Sequence, residues 1–412
     1  MKTFREFIIA EATDRSKNTH LLHIEDLVLY GGVKGAREAI NSLRSVSKML
    51  RGHTDKKFGV TVKWDGAPAV FAGTDPSDGK FFVAKKGLFN KNPKLYKSVE
   101  EVKADTSGDL AKKLTIAFNE LSKLGIRNII QGDIMYTRPD LKTVDIDGEK
   151  HYTFHPNTIL YAVPVNSDLG KRIAKSKIGV VWHTEYRGSS IEKLKASFSP
   201  DLSYLKTPST VWYTDADFRD ETGQALFTKS ESDNVQKLLS DAGKIFQKIS
   251  GTTLREIESN PAFAQDLETF HNSLVRRGEK IDHPEKRVDA LISWAREKHT
   301  KNIDAKKSER GKASAKEKMD AYMSFFSPKN KKNLARVYEL QNKIVDAKLA
   351  IIQQLEKTKS LKTFLKKKDG FEVTGQEGFV AVDHVNGAVK LVDRLKFSYA
   401  NFSPDIIKGW DH

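Results

Sequence analysis

The hydrophobic and polar positions divide the chain into two kinds of segment. From residue 232 to 368 the hydrophobic residues recur at helical spacing, as at Val235 and Leu239. From residue 58 to about 213, and again from 371 to 397, short β-branched and aromatic runs are broken by Gly, Asp and Asn, a pattern typical of strands. The pattern therefore predicts an α+β fold in which strand-rich segments flank a helical block.

The order of these segments predicts one domain interrupted by another. The last 40 or so residues are too few to fold alone, and domain insertions are tolerated at exposed loops. Three domains in series are the alternative. We expect an N-terminal helical segment over 1–50, the first part of an α+β domain over 51–215, a basic helical insertion over 216–369 and the second part of the α+β domain over 370–412.

Positive charge is concentrated in one stretch of the chain. The protein has 70 Lys and Arg residues against 54 Asp and Glu, a formal charge of +16, and residues 296–370 alone hold 21 against 9. Such a field favours nucleic acid as a partner, bound mainly through phosphates; a charged, solvated surface that binds nothing is the alternative. The predicted nucleic-acid contacts are Lys331, Lys332, Lys366 and Lys367.

Cysteine is absent from the sequence, which excludes disulfides, a thiolate zinc site and a cysteine nucleophile. This composition fits a chain made in a reducing compartment. No apolar stretch approaches the roughly 20 residues that a membrane span needs, so no membrane partner is expected.

The first twelve residues form a short amphipathic stretch. It resembles the capsid-targeting peptide of internal proteins in large tailed phages, and the resemblance implies removal of residues 1–11 after Glu11. An ordinary amphipathic helix is the alternative. The resemblance implies the cytoplasm of an infected bacterium, or the virion, as the location.

Candidate chemistry begins in the stretch from Phe58 to Gly66. Period-two alternation puts Val60 and Val62 on one face of a strand and Lys63 on the other, with Asp65. A lysine beside a carboxylate, and beside a glycine that allows close approach, becomes a nucleophile if its surroundings favour the neutral amine.

The tetrapeptide Lys63-Trp-Asp65-Gly66 resembles motif I of the covalent nucleotidyltransferase superfamily, which includes ATP-dependent RNA and DNA ligases and mRNA capping enzymes. The resemblance implies a ligase-type domain of antiparallel sheets with helices. It also implies that Lys63 attacks the α-phosphate of a nucleoside triphosphate and holds the nucleotide as a phosphoramidate, with Asp65 and Gly66 in the nucleotide site.

Counterparts of the family's later motifs follow in the required order. Lys86 stands where the family has a basic residue that contacts the nucleotide or a phosphate, and Asp133 where motif III binds a ribose hydroxyl, usually with glutamate. In motif IIIa, whose aromatic residue stacks on the base, the matching position is Val163, with Tyr161 as a substitute. Asp133 and Val163 depart from the family's pattern.

The segments around Glu377 and Lys390 resemble motifs IV and V. A two-residue turn at Asn386-Gly387 would pair Asp383 with Lys390 and Glu377 with Lys396, and would place Arg394 opposite Phe379. The resemblance implies that Glu377 holds Mg²⁺ and that Lys390 neutralises the α-phosphate. Cross-strand ion pairs on a solvated hairpin are the alternative.

The family's second motif V lysine is replaced here by Val392, and Arg394 or Lys396 would compensate from the same face. His183 interrupts an apolar strand, and such a histidine is more often a satisfied core group than a catalyst. Only 16 residues follow Lys396, which leaves no room for the β-barrel domain of DNA ligases and capping enzymes.

The sequence therefore predicts an RNA-ligase-like enzyme that uses ATP and Mg²⁺, forms lysyl-AMP and passes the nucleotide to the 5′-phosphate end of a nucleic acid, with RNA favoured over DNA. One alternative is a phage internal nucleic-acid-binding protein that keeps the fold without its chemistry. Another is transfer of the nucleotide to a protein or a small molecule. The oligomeric state stays open.

Overall fold

The computed structural model describes residues 21–53, 58–219, 225–279, 283–358, 361–368, 370–383 and 387–409. It is 49% helix and 23% strand, with predominantly antiparallel sheets, so the predicted α+β class is confirmed. The predicted targeting peptide lies outside the described residues. None of the described helices is long and apolar enough to cross a membrane.

The helices and strands are numbered in chain order. The helices are α1 (Leu27–Tyr30), α2 (Gly32–Met49), α3 (Val99–Asp105), α4 (Gly108–Leu121), α5 (Asp168–Lys175), α6 (Lys229–Gln247), α7 (Gly251–Glu258), α8 (Pro261–Arg276), α9 (Pro284–Asp304), α10 (Glu309–Met323), α11 (Pro328–Leu355) and α12 (Arg394–Phe402). The strands are β1 (Phe58–Lys63), β2 (Ala69–Thr74), β3 (Phe81–Ala84), β4 (Ile129–Thr137), β5 (Lys142–Ile146), β6 (Glu149–Phe154), β7 (Ile159–Pro164), β8 (Ile178–Arg187), β9 (Lys195–Phe198), β10 (Val211–Asp215), β11 (Lys362–Lys367), β12 (Gly370–Val373), β13 (Gly378–Asp383) and β14 (Gly387–Leu391).

The described strands form three sheets. The three-stranded sheet has the order β1-β13-β14, and the five-stranded sheet has the order β12-β11-β7-β6-β5. The six-stranded sheet has the order β10-β8-β4-β2-β3, with β9 beside β8. Only β8 and β10 pair in parallel among these strands. The predicted hairpin of β2 and β3 is present, with Thr74 opposite Phe81.

Strands from both sides of the helical segment share sheets. β1 pairs with β13 along its whole length, so that Lys63 lies opposite Gly378, and β7 pairs with β11. Helices α6 to α11 occupy residues 229–355 between these strands. The helices therefore end before the predicted boundary at residue 369, and Lys366 and Lys367 lie on β11 rather than in the helical segment.

The helical segment shares its core with the N-terminal helix and the three-stranded sheet. Leu43 of α2, Leu239 of α6 and Ile344 of α11 belong to one buried cluster with Phe379 and Leu391 of the sheet. Burial of such side chains is the main favourable contribution to folding. One face of the three-stranded sheet is therefore fixed against helices, and its opposite face is left for polar side chains.

The hairpin of β13 and β14 has a different register from the predicted one. Asp383 lies opposite Gly387 and Val380 opposite Lys390, so three residues, 384–386, separate the paired ends. The predicted pair of Asp383 with Lys390 is wrong. Since Phe379, Ala381 and Leu391 are all buried in the shared core, packing of this face sets the register and overrides the Asn386-Gly387 turn signal.

Arg394 and Lys396 do not continue strand β14. They lie in the first turn of α12, which Asp393 caps by accepting hydrogen bonds from the backbone N–H groups of Leu395 and Lys396, each at 3.2 Å. The predicted placement of Arg394 opposite Phe379, and of Lys396 opposite Glu377, is therefore wrong.

Candidate active site

The polar face of the three-stranded sheet carries two lysines. Lys63 ends β1 opposite Gly378, and Thr61 lies opposite Val380, which in turn lies opposite Lys390 on β14. Since directly opposed residues point to the same side of a sheet, Lys63 and Lys390 share one face. The predicted alternation of Lys63 against Val60 is borne out, because Val60 is buried in the helical core.

Glu377, the residue before β13, forms an ion pair with Lys63. The side chain of Glu377 is only 8% exposed, whereas that of Lys63 is 28% exposed. Burial raises the pKa of Glu377 to about 7 although Lys63 opposes the rise, and the nearby carboxylate of Asp65 raises it further. Glu377 is therefore a proton acceptor of near-neutral pKa in contact with the lysine amine.

Lys390 adds a second, partly desolvated positive charge to this face. Burial lowers its pKa to about 8, and the charge of Lys63 contributes to the lowering. The backbone N–H of Lys390 donates to the carbonyl of Leu22 at 2.9 Å, which ties β14 to the start of the described chain. Two ammonium groups against one carboxylate make this face attractive to an anion.

Asp133 reaches the same place from β4. Its pKa is raised to about 7, first by burial and also by Asp65, against the charges of Lys63 and Lys86. Gly66 makes the approach feasible: a Cβ at this position would lie 2.5 Å from the Asp133 Cβ and 2.9 Å from the Met135 Sδ. The glycine of the tetrapeptide thus serves close packing between the β1–β2 loop and β4.

His183 stands at a β-bulge beside Asp133. Thr184 pairs with Gln131 and Trp182 with Gly132, so His183 is the extra residue between them. Its Nε2 lies 3.7 Å from Asp133 Oδ2, and its Nδ1 lies 2.8 Å from the hydroxyl of Thr184. Burial, together with the charge of Lys63, lowers its pKa to about 4, so the imidazole is neutral. The expectation that His183 is a core group misses its place in the site.

Asp65 organises the protein rather than facing a ligand. It is 3% exposed, and its carboxylate accepts hydrogen bonds from the side chain of Asn157 and from the backbone N–H groups of Thr158 and Ile159, the last two at 2.7 Å. It holds the start of β7 against the end of β1. Asp65 is therefore a positioning residue for Lys63, which corrects its predicted nucleotide contact.

Tyr161 and Val163 are core residues. The ring of Tyr161 is stacked with Trp64 and with Phe154, both at 5.4 Å between centroids. Its hydroxyl accepts a hydrogen bond from the backbone N–H of Asp65 at 2.8 Å. Val163 is 1% exposed. Both ring faces of Tyr161 have protein partners, so the predicted base-stacking role of either residue is wrong.

The predicted substitutes for the second motif V lysine are placed differently from each other. Val392 is 2% exposed, and Arg394 is engaged by Asp26, with Nη1 2.9 Å from Oδ2. Arg394 is thus committed to a buried carboxylate. Lys396 is exposed on α12, although it lines a small cavity together with Glu377 and Asp65.

The remaining predicted lysines fall into two groups. Lys86 is exposed in the turn after β3 and acts on the pKa of Asp133, so it belongs to the site. Lys331 and Lys332 lie in the first turns of α11. Lys367 is ion-paired with Glu372 on the adjacent strand. The structure therefore brings together Lys63, Lys86, Asp133, Glu377 and Lys390, and it adds His183.

Metal binding at this place would need a substrate. No group of three His, Asp or Glu side chains within the described ranges could hold a metal ion. Mg²⁺, however, is usually held by one or two carboxylates together with substrate phosphates. Glu377 and Asp133, two buried carboxyls whose pKa values are each raised to about 7, fit that donor set because a cation would compensate their charge.

Fold and site together define a mixed α+β protein with a lysine-rich, carboxylate-containing cleft between sheets. The chain belongs to a family of unknown function, DUF6267, whose model matches residues 18–405. No curated protein and no solved structure matches it. The functional argument therefore depends on the geometry of the site.

Proposed function

We propose that this protein is a nucleotidyltransferase of the RNA-ligase type, in which Lys63 forms a covalent lysyl-AMP. The observation that carries the proposal is the convergence of Lys63, Lys86, Asp133, Glu377 and Lys390, which come from five separate stretches of the chain. The same residues match family motifs in the family's order. A chance tetrapeptide would not predict that the other four lie around it.

The chemistry needs a neutral amine at Lys63. Glu377 Oε1 contacts its Nζ, and the raised pKa of Glu377, about 7, lets this carboxylate take the proton. The amine then attacks the α-phosphorus of ATP, the P–N bond forms, and the P–O bond to pyrophosphate breaks. Lys390 and Lys86 compensate the charge that develops on the phosphoryl oxygens and on pyrophosphate.

Mg²⁺ would be held by Glu377 and Asp133 together with the triphosphate, and it would supply neutralisation of the phosphate charge. Asp133 is also the group proposed for the ribose hydroxyl. Because His183 is neutral and contacts Asp133 from the side, it positions that carboxyl without adding a competing charge.

The proposed acceptor is the 5′-phosphate end of a nucleic acid, with RNA favoured over DNA. Its support is the formal charge of +16 and the strongly basic stretch over residues 296–370. The 5′-phosphate oxygen attacks the lysyl-AMP, and a 3′-hydroxyl then displaces AMP to close the bond. A protein or small-molecule acceptor is the alternative for this second step. The proposed location is the cytoplasm of a phage-infected bacterium, or the virion.

Covalent labelling tests the first step. The protein is incubated with α-labelled ATP, or α-labelled GTP, and Mg²⁺ and then separated under denaturing conditions. We expect a labelled band with ATP that is lost in Lys63→Ala and in Lys63→Arg, because a guanidinium stays protonated and does not attack. Lys80→Ala, an exposed lysine in the β2–β3 turn, is the matched control and keeps the label. Label retained in Lys63→Arg contradicts the proposal.

The second candidate function is nucleic-acid binding by a protein that keeps this fold without transfer. It is favoured by the buried state of Tyr161, Val163 and Val392, which leaves three family contacts unfilled. This function predicts nucleic-acid affinity in wild type and in Lys63→Ala alike, with no labelled band in either protein.

A further inference from the structure

The five-stranded sheet has one polar face, here called the outer face. Strand pairing puts Lys142, Lys366 and Phe371 on it, with Phe371 of the edge strand β12 directly opposite Lys366. The other face of the same sheet holds Tyr161 and Val163 in the core. Phe371 is 40% exposed, which is unusual for a large aromatic side chain and marks a surface with a partner.

A cavity of about 200 Å³ opens at this face, lined by Lys142, Lys366 and Lys408. Among the described residues, no carboxylate lies within 4.0 Å of the ammonium group of Lys142 or Lys366. The acidic residue of the lining, Asp140, already accepts hydrogen bonds from the N–H and hydroxyl of Thr137 at 2.7 and 2.9 Å. The cavity is therefore positively charged and suits a phosphate group.

The cavity is joined to the candidate active site by one loop. His155 lines the cavity, and two residues later Asn157 donates a hydrogen bond to Asp65. The backbone N–H of Gly409 donates to the carbonyl of Asn157 at 2.7 Å, so the C-terminal segment closes the cavity against this loop. A Cβ on Gly409 would lie 1.9 Å from the His155 carbonyl oxygen, which shows how closely the two segments pack.

We propose that the outer face binds single-stranded nucleic acid, with a backbone phosphate in the Lys142–Lys366–Lys408 cavity and a base stacked on Phe371. Lysines beside an exposed aromatic ring on an open sheet are the chemistry that holds single strands, because a ring stacks on an unpaired base and not on one inside a duplex. The role of this strand as the acceptor rests on the proposed function; its binding does not.

Binding is measured by fluorescence anisotropy with a labelled single-stranded RNA at several salt concentrations. The protein carries Lys63→Ala and no nucleotide is added, so a failure of the covalent chemistry does not affect the result. We expect Lys142→Ala/Lys366→Ala to bind at least tenfold more weakly, with a log–log salt slope smaller by about 1.4, from about 0.7 per phosphate contact. Phe371→Ala is expected to bind about tenfold more weakly with an unchanged slope.

The matched control is Lys331→Ala/Lys332→Ala, which removes the same charge from α11 and is expected to change affinity less than twofold. Charge reversal by Lys142→Glu, at an exposed position, is a second variant that keeps the fold and should weaken binding further. A duplex of the same sequence should show no effect of Phe371→Ala. Equal affinity of the two double variants, displacement by inorganic phosphate alone at equal concentration, or an equal Phe371→Ala effect on duplex would overturn the proposal.

Discussion

A buried charged cluster fixes the start of the described chain to the helices and to α12. Glu25, Asp26 and Lys348 are each at most 1% exposed and Arg394 is 8% exposed. Lys348 Nζ lies 2.9 Å from both carboxylate oxygens of Glu25, and Arg394 Nη1 lies 3.4 Å from Glu25 Oε1 and 2.9 Å from Asp26 Oδ2. Since Arg394 begins the helix after β14, this cluster also supports Lys390 and the active face.

Lys348→Met is expected to destabilise the protein strongly, because it leaves Glu25 buried with one remaining, longer contact to Arg394. Breaking a buried pair from one side typically costs about 3–5 kcal/mol; the surviving Arg394 contact places the expected loss near about 3 kcal/mol. The control is Lys343→Met on the same helix, whose 36%-exposed ammonium pairs with Asp346 at 3.0 Å and contributes about 0.5 kcal/mol or less.

The sign of the pH dependence follows from Glu25. Lys348 and Arg394 hold the pKa of this buried carboxyl well below its usual range, against the effect of burial. Its stabilisation is therefore present above the ordinary glutamate pKa of about 4.3 and is lost as the pH falls through the lowered value. In urea unfolding, the gap between Lys348→Met and Lys343→Met should be near 3 kcal/mol at pH 7 and smaller near pH 3. Equal stabilities at pH 7 would refute the reasoning.

Three further outcomes are expected. Gly66→Ala places a methyl group 2.5 Å from the Asp133 Cβ, so it should lower the free energy of unfolding by about 1–3 kcal/mol and the labelling rate at least tenfold; a wild-type melting curve contradicts this. Asp133→Asn removes a carboxyl whose folded pKa, about 7, exceeds its unfolded value, so wild type loses stability as the pH rises through 7. In urea unfolding the Asn variant should match wild type at pH 4 and exceed it by about 2 kcal/mol at pH 8, and a pH-independent difference refutes the assignment. Lys390→Met should slow labelling about a hundredfold while changing the unfolding free energy by less than about 1 kcal/mol, as measured by initial rates and urea titration; an unchanged rate means that Lys390 does not stabilise the transferring phosphate.

Local patterns predict the part of the site that depends on strand geometry alone. The period of two in a strand puts Lys63 opposite the apolar face of Val60, and the pairing of β1 with β13 keeps that assignment. The order of the motifs predicts that Glu377 and Asp133 lie near Lys63, although their burial and raised pKa values depend on packing that the sequence does not display. Asp393 before a helical pattern is a cap signal from which the start of α12 at Arg394 could have been read.

Non-local pairing accounts for the rest. The hairpin register depends on how Phe379 and Leu391 pack against the helices, and this contact joins distant segments of the chain. Strand β7 is buried on both faces, so its hydrophobic run does not distinguish a base-stacking Tyr161 from a core one. The bulge that turns His183 toward Asp133 arises from the pairing of β4 with β8. Neither strand alone carries a signal for it.

The central claim is that Lys63 is the nucleophile, and the most direct test is to find the modified residue. The protein is incubated with ATP and Mg²⁺, quenched under conditions that preserve phosphoramidates, and examined by intact and peptide mass spectrometry. We predict one adenylyl group per chain, located on the peptide that contains Lys63 and discharged by added pyrophosphate. An unmodified chain, or an adenylyl group on Lys86 or Lys390 with Lys63 unmodified, would contradict the account.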